Sequence, residues 1–396
     1  MKRNWPYSPL GELVKMRSGG TPSRENLAYW NGTIPWFSGK DLKSFYLRDS
    51  IEHIAENAVG KGTRTVGAGA LLVLVRGMTL MKEVPVGVTL RDASFNQDVK
   101  ALLPDPKKME VRFLGYFLRC ENHRLRNCVT TAGHGTGRLP LESLAEYPIP
   151  TPPLPEQQKI ADILGTWDEA LEKLDALIAA QDRRKQALMQ QLLTGQRRLP
   201  GFSKPWTHAK LGDLFENRTE PNRLDLTLLS ITADRGVIRR DTLVKRDTSS
   251  EDKSKYLRIA PGDIGYNTMR MWQGVSALSS LEGIVSPAYT ICVPTNRIDG
   301  KFAAHFFKLP HTISLFHRHS QGLVDDTLNL KFHHFATIEV TIPADTAEQR
   351  KIASILHTTD SELRILHQQR TALDQQKRGL MQHLLTGRIR VKTTSS

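Results

Sequence analysis

Three cysteines, Cys120, Cys128 and Cys292, are too few and too scattered along 396 residues for a disulfide framework or a zinc site. A reducing cytoplasm suits such a chain. No run of 18 or more apolar residues occurs, so no membrane-spanning helix is expected. The longest apolar stretch, Ala68 to Val75, reads as a buried strand around Leu71–Val75. No apolar segment of the kind a secretory signal needs follows the opening Met-Lys-Arg-Asn-Trp-Pro. A Gly-x4-Gly-Lys-Ser/Thr phosphate loop is missing, which excludes an ATPase of that class. Gly133-His-Gly-Thr-Gly137 runs into Arg138-Leu-Pro140 rather than a dinucleotide-binding helix, and reads as a turn or a loop against a phosphate backbone. His311, His317, His319, His333 and His334 cluster in sequence without a cysteine partner or complete metal spacing. Asp105 beside Lys107 and Lys108 lacks the separated carboxylates of metal-assisted hydrolysis. No catalytic residue, metal ligand or cofactor site is therefore expected in this chain.

What is abundant is positive charge. The net charge is +14 and the pI about 9.7, a balance that suits a polyanionic partner such as nucleic acid. Hydrophobic residues at 39% and charged residues at 24% are ordinary for a globular protein. The length allows two or three domains.

The strongest signal is an internal repeat. Glu156-Gln-Gln-Lys-Ile-Ala-Asp-Ile-Leu164 returns as Glu348-Gln-Arg-Lys-Ile-Ala-Ser-Ile-Leu356. Leu188-Met-Gln-Gln-Leu-Leu-Thr-Gly195 returns as Leu380-Met-Gln-His-Leu-Leu-Thr-Gly387, and both matches share an offset of 192 residues (156 to 348, 195 to 387). The spacing predicts one long helix used twice, over about 156–195 and 348–387. In the first copy, steps of four and three pick out Ile160, Leu164, Trp167, Leu171, Leu174, Ile178, Gln181, Lys185, Leu188 and Leu192. In the second they pick out Ile352, Leu356, Thr359, Leu363, Leu366, Arg370, Leu373, Lys377, Leu380 and Leu384. This is a coiled-coil seam with polar residues that set register. Pro155-Glu156 starts the first helix and Thr-Gly closes both. At about 1.5 Å per residue, some 38 residues make a rod of roughly 57 Å.

The regions before the helices repeat more faintly. Trp5-Pro-Tyr-Ser-Pro-Leu-Gly-Glu-Leu13 matches Trp206-Thr-His-Ala-Lys-Leu-Gly-Asp-Leu214, and Ile149-Pro150 and Ile342-Pro343 precede the helices. They are otherwise unlike. Strands are predicted at Leu71–Val75 and Ile284–Val293, and helices at Met109–Asn122 and Lys301–His319. The fold class is α+β: two mixed α/β domains alternating with two long helices. The divisions fall at 1–152, 153–199, 200–344 and 345–396. Rods that repeat do one task twice, while globes that differ recognise different things.

These residues resemble the specificity subunits of type I restriction–modification systems. The likeness is carried by Pro153-Leu-Pro-Glu-Gln-Gln-Lys-Ile-Ala-Asp-Ile-Leu164 with its second copy, and by Leu-Leu-Thr-Gly at 192–195 and 384–387. The Trp…Leu-Gly-acid-Leu openings, Ser18-Gly-Gly-Thr-Pro-Ser23 and Ile34-Pro-Trp-Phe-Ser-Gly-Lys-Asp41 add to it. It covers the whole chain in order. The second copy departs, with Ala344-Asp-Thr-Ala-Glu348 in place of a Pro-rich lead-in and no clean Gly-Gly-Thr-Pro in the second domain. The resemblance implies two target-recognition domains, each reading half of a bipartite site in double-stranded DNA. It implies helices paired as an antiparallel coiled coil that fixes the gap and docks two methyltransferase subunits, with restriction subunits joining them. S-adenosylmethionine, ATP and Mg²⁺ would then belong to those partners, and this chain would be a non-catalytic cytoplasmic subunit.

Phosphate contact calls for Lys, Arg and small polar groups, and base reading for Arg, Asn, Gln or Lys. In the first domain these are Arg17, Ser18, Thr21, Ser23, Arg24, Lys40, Lys43, Thr131, His134 and Arg138. In the second they are Arg235, Arg239, Arg240, Lys245, Arg246, Asn267, Arg270, Gln273, Arg318 and Gln321. Tyr266-Asn-Thr-Met-Arg-Met-Trp272 reads as a loop of a recognition surface. Trp30, Trp36 and Trp272 fit a core better than a base-stacking platform. The competing readings are a stand-alone DNA-binding regulator and a nuclease or methyltransferase in its own right. The absence of an Asn-Pro-Pro-aromatic motif speaks against the last.

Overall fold

A computed structural model describes residues 5–132, 135–243 and 250–393. Its contacts divide the chain into two units, Met1–Asp175 with Gln369–Ser396, and Ala176–Gln368. The long helices run over Leu154–Leu193 and Thr346–Leu384. Each gives its start to one unit and its end to the other. The packing therefore does not set the helices apart as segments of their own, as divisions at 152, 199 and 344 would.

In the first unit, Tyr7–Pro9 pairs antiparallel with Pro148–Pro150, and a single turn, Leu10–Leu13, follows. A five-stranded sheet comes next, in the order Val14–Ser18, Val99–Pro104, Leu71–Leu74, Val86–Thr89, Tyr46–Leu47. Leu71–Leu74 is buried at every position, as a strand covered on both faces must be. Helix Val111–Cys120 lies on this core. It comes close because Gly115 has no side chain: a Cβ there would stand 2.8 Å from Phe45 and 2.9 Å from Leu71.

The second unit repeats this frame. Trp206–Lys210 pairs with Glu339–Pro343, and the turn Leu211–Leu214 follows. The sheet order is Phe215–Asn217, Tyr289–Pro294, Ile264–Asn267, Ser276–Leu278. In both sheets the four corresponding strands stand first, fourth, second, third by chain order. The globular regions thus share far more than their sequences suggest. They differ in what is inserted between the sheet strands. The first unit has a four-stranded sheet containing Ile34–Phe37, and the second has the hairpin Leu229–Thr232/Gly236–Arg239 with the pair Leu257–Ile259/Gly283–Val285.

Three expected elements are broken where proline intervenes or a helix stops early. Ile284–Val293 is two strands, Gly283–Val285 and Tyr289–Pro294, parted around Pro287. Lys301–His319 is two helices, Gly300–Phe306 and Pro310–His319, with Pro310 at the start of the second, where its missing N–H costs nothing. Met109–Asn122 is realised as Val111–Cys120, with a separate helix Asn122–Asn127 after it.

The repeated helix motif explains how globe and rod join. Gln157 accepts the Glu110 N–H (2.8 Å) and donates to the carbonyls of Lys108 (3.0 Å) and Pro152 (2.8 Å). Gln349 accepts the Asp299 N–H (2.7 Å) and donates to Arg297 (3.1 Å) and Pro343 (2.8 Å). Glu110 and Asp299 are N-caps of the domain helices. A cap of this kind contributes about 1 kcal/mol. Ile160, Ala161 and Leu164 enter the first core, and Ile352, Ala353 and Leu356 the second.

Every seam position is buried or half-buried. Near the helix ends the seam merges with the domain cores rather than forming a free coil. Within the first unit Asp168 meets Lys377 and Asp175 meets Arg370; within the second, Gln181 meets Glu362 and Lys185 meets Asp360. Numbers rise on one helix as they fall on the other, so the pairing in each unit is antiparallel. No helix among the described residues is long and apolar enough to cross a membrane.

Candidate nucleic-acid interface

In the first unit the Ser18-Gly-Gly-Thr segment lies flat against the neighbouring backbone. A Cβ on Gly19 would come 2.2 Å from the Phe95 carbonyl oxygen, and one on Gly20 2.0 Å from that of Gly62. Only glycine allows this approach. The Thr21 hydroxyl donates to Gln97 Oε1 (2.7 Å), and Lys100 Nζ donates to Ser18 Oγ (2.7 Å). Burial holds the Lys100 ammonium below its usual pKa. Arg17 is exposed on the same strand. Gln97 and Lys100 also line a groove of about 440 Å³ with Arg76, Asp98 and Arg138. Arg138 and Thr131 stand on the facing strands Thr136–Arg138 and Thr130–Ala132, beside Arg76–Gly77. The structure thus brings together Ser18, Thr21 and Arg138 through residues that the sequence reading passed over. Lys100 alternates with buried Val99 and Ala101, and that two-residue period is the signal that marks it as outward-facing. His134 lies outside the described residues.

Arg24 is exposed, yet its guanidinium is already engaged by its own domain. Its guanidinium lies 3.6 Å from the Trp30 ring centre and 5.0 Å from that of Trp36, and it grips both oxygens of Glu52. The hydrogen bond from Arg24 lowers the pKa of the Glu52 carboxyl. Trp36 is buried in a small apolar cluster, and the half-buried Trp30 donates its indole N–H to the Ser23 carbonyl (3.0 Å). Lys40 and Lys43 are exposed on the loop that Asp41 ties down through Ser38 and Ile51.

In the second unit Arg235 is exposed at the turn of the hairpin, and Arg239 pairs with Asp241 (2.8 Å). Arg240 lines a groove of about 640 Å³ with Ser250, Lys255, Tyr256 and Tyr289. Lys255 and Tyr256 carry no motif that would have singled them out. Lys245 and Arg246 lie outside the described residues. The stretch expected as a recognition loop is divided. Tyr266 ends up in the core because Ile264–Asn267 is a central strand, and Met271 joins it from the turn Met271–Gln273. Asn267, Arg270 and Gln273 remain at the surface, and Asn267 accepts the Met269 N–H (2.9 Å). Half-buried Trp272 packs edge-on against His317. Arg318 is exposed in the last turn of the helix Pro310–His319, before an exposed loop that begins at Gln321.

Each unit also holds a polar node where its domain helix meets the long helices. Tyr116 and Arg119 stand six and nine residues after Glu110; His305 and Lys308 stand six and nine after Asp299. Tyr116 donates to Asp168 (2.6 Å), which also takes Lys377 Nζ (2.5 Å). In the second unit Asp360 takes Lys185 Nζ (2.5 Å), with His305 Nδ1 3.8 Å away. Burial pushes the Lys377, His305 and Arg119 pKa values down, and that of Lys308 down to about 8. Lys308 Nζ donates to the carbonyls of Gly274 and Ser276, both at 2.7 Å.

Residues 2–180 match the family described as type I restriction modification DNA specificity domain. The chain is 30% identical over 164 residues to the EcoR124I/EcoR124II specificity subunit of Escherichia coli, covering 41% of this chain and 40% of that one. It is 26% identical over 177 residues to the MjaIX specificity subunit of Methanocaldococcus jannaschii, covering 39% of that protein. These alignments span about two-fifths of those relatives. Likeness to the MjaVIII specificity subunit of the same archaeon is lower, 22%, but runs over 98% of this chain and 94% of that one. The fold matches that of a type I restriction–modification S subunit from M. genitalium, with a TM-score of 0.62 at 17% identity over 96% of both chains.

Proposed function

We propose that this chain, which belongs to the type I restriction–modification specificity family, reads a bipartite DNA sequence and does no covalent chemistry itself. The observation that carries this reading is one frame used twice with different inserts. The capping glutamines, the Leu-Gly-acid-Leu turns and the sheet order recur, while the polar faces around Lys100 and around Arg270 are unlike. Each domain would read one half-site, with the helical region setting the gap. Phosphate contact would come from exposed cations such as Arg17, Lys40 and Arg318, and base reading from Asn267, Gln273 and their first-domain counterparts. Two methyltransferase subunits would dock on the long helices, and restriction subunits would complete the assembly. S-adenosylmethionine, ATP and Mg²⁺ would be handled by those partners. A stand-alone DNA-binding regulator would share the frame but would purify alone.

The deciding experiment maps methylated adenines across the genome with and without this gene. Loss of methylation at one split motif is expected and would give both half-sites. An unchanged map, with the partner genes expressed, would overturn the reading. Binding should also weaken steeply between about 50 and 200 mM salt, because phosphate neutralisation releases counterions.

A further inference from the structure

The second unit holds an apolar side chain out in solvent on a stiff loop. Leu323 is 101% exposed and its neighbour Val324 62% exposed. The loop is braced rather than slack. Gln321 and Asn329 exchange backbone hydrogen bonds (2.8 Å each), and Asn329 Nδ2 adds a third to the Gln321 carbonyl (3.0 Å). Thr327 caps the tip, its N–H and hydroxyl both reaching the Val324 carbonyl at 2.9 Å. Gly322 has φ +149°, and a Cβ there would lie 2.7 Å from the Thr327 backbone. Leu328 and Leu330 anchor the base of the loop in the interior. Such bracing spends backbone order on presenting a leucine to water, which gains nothing for the free chain.

The surroundings restrict what could cover it. Val324 shares a concavity with Arg270, Trp272, Gln273, Asp325 and Asp326. Two carboxylates beside the tip would repel a phosphate backbone. They suit the floor of the major groove, where exocyclic amino groups of cytosine and adenine donate. An apolar side chain on that floor meets the thymine C5-methyl, the one apolar group the bases present there.

We propose that Leu323 reads a thymine methyl in the half-site of the second domain, with Asp325 or Asp326 accepting from the amino group of an adjacent base. The inference rests on the DNA-reading function proposed above. The corresponding connection in the first unit, between helices Asn122–Asn127 and Leu141–Ala145, contains Thr-Ala-Gly-His-Gly-Thr-Gly, and its one leucine, Leu139, is buried in the core. The contact is therefore a property of one half-site only.

The test is a chemical double-mutant cycle on the full chain, in the complex in which it is isolated. Each thymine of both half-sites is replaced in turn by deoxyuridine, which removes only the methyl group, and affinity is measured by fluorescence anisotropy. One replacement in the second half-site should weaken binding roughly fourfold, the effect of one buried methyl. Leu323→Ala should weaken binding to thymine DNA to a similar degree and abolish the deoxyuridine effect at that position. The fully exposed side chain makes Leu323→Ala safe for folding, which its thermal unfolding checks. A second half-site without thymine, no effect of any replacement there, or an effect that persists in Leu323→Ala overturns the proposal. Failure of the chain to bind any split motif would instead overturn the functional reading beneath it.

Discussion

The two units solve the same joining problem with different chemistry. In the first, Tyr116 and Lys377 converge on Asp168, and Lys377 is 7% exposed. In the second, His305 replaces tyrosine and stands off at 3.8 Å, and both partners of the Lys185–Asp360 pair are about a third exposed. The first node is the drier, directly bonded cluster and the second a wetter, titratable one. A shared backbone therefore does not impose shared electrostatics. What is held in common is the position of an acid and a lysine on the two helices.

The contrast can be broken first at the latches that flank the nodes. Glu348 is 1% exposed and bonded by Arg198 Nε and Nη2 at 2.7 and 2.8 Å, while Arg198 also reaches the carbonyls of Phe202 and Lys204. Glu156 is 4% exposed and bonded by Arg390 at 2.7 and 2.6 Å, with the Trp5 ring 5.2 Å from that guanidinium. Removing either arginine strands a buried carboxylate. Arg198→Ala should cost about 3–5 kcal/mol and Arg390→Ala somewhat less, since its guanidinium is more exposed. Urea unfolding measures both, and equal losses would contradict the ranking.

Next come the node lysines. Lys377→Met should cost about 2–3 kcal/mol by leaving the half-buried Asp168 with Tyr116 alone, whereas Lys185→Met should cost about 1 kcal/mol or less. A larger effect at Lys185 would reverse the assignment of dry and wet nodes.

The titratable node then predicts a pH dependence. Burial holds the folded-state pKa of His305 below its ordinary value near 6.5, with Asp360 opposing and Lys185 and His357 assisting. The unfolded chain therefore binds the proton more tightly. Stability should fall as pH drops through 6.5 toward the lower folded pKa, and be regained above it. His305→Gln should flatten that slope in thermal melts between about pH 5 and 7.5. An identical slope in the variant would place the effect elsewhere.

The smallest effects test the likeness instead of the difference. Gly195 (φ +74°) and Gly387 (φ +71°) each end a long helix, and a Cβ on either would meet the ring of Trp206 or Trp5 at 3.3 Å. Alanine at either site should cost about 1–2 kcal/mol, alike within error.

The repeat made the helices and their register legible, because seam spacing and the Thr-Gly stops are local signals. Glu156 and Gln157 were visible as a motif, but their partners were not, since Arg390 and Glu110 are distant in the chain. The shared sheet was hidden because strands of three to six residues tolerate many apolar sequences. At the candidate interface, exposed Arg17 and Arg270 could be read from residue type alone. The engagement of Arg24 by Glu52 could not, because nothing in either segment marks them as neighbours. Nor could residue type show that Tyr266 faces inward, which its place on a central strand decides.

Because only the first unit takes a helix end from far along the chain, the units differ in when they can be completed. The second is continuous, residues 176–368, and every one of its contacts can form once that stretch has been synthesised. The first needs Leu384, Leu385 and Met381 to fill its core beside Leu164. The first domain must wait, with an apolar surface open, until residues 381–385 have been made. That interval, set by translation speed, is when the nascent protein should depend most on chaperones.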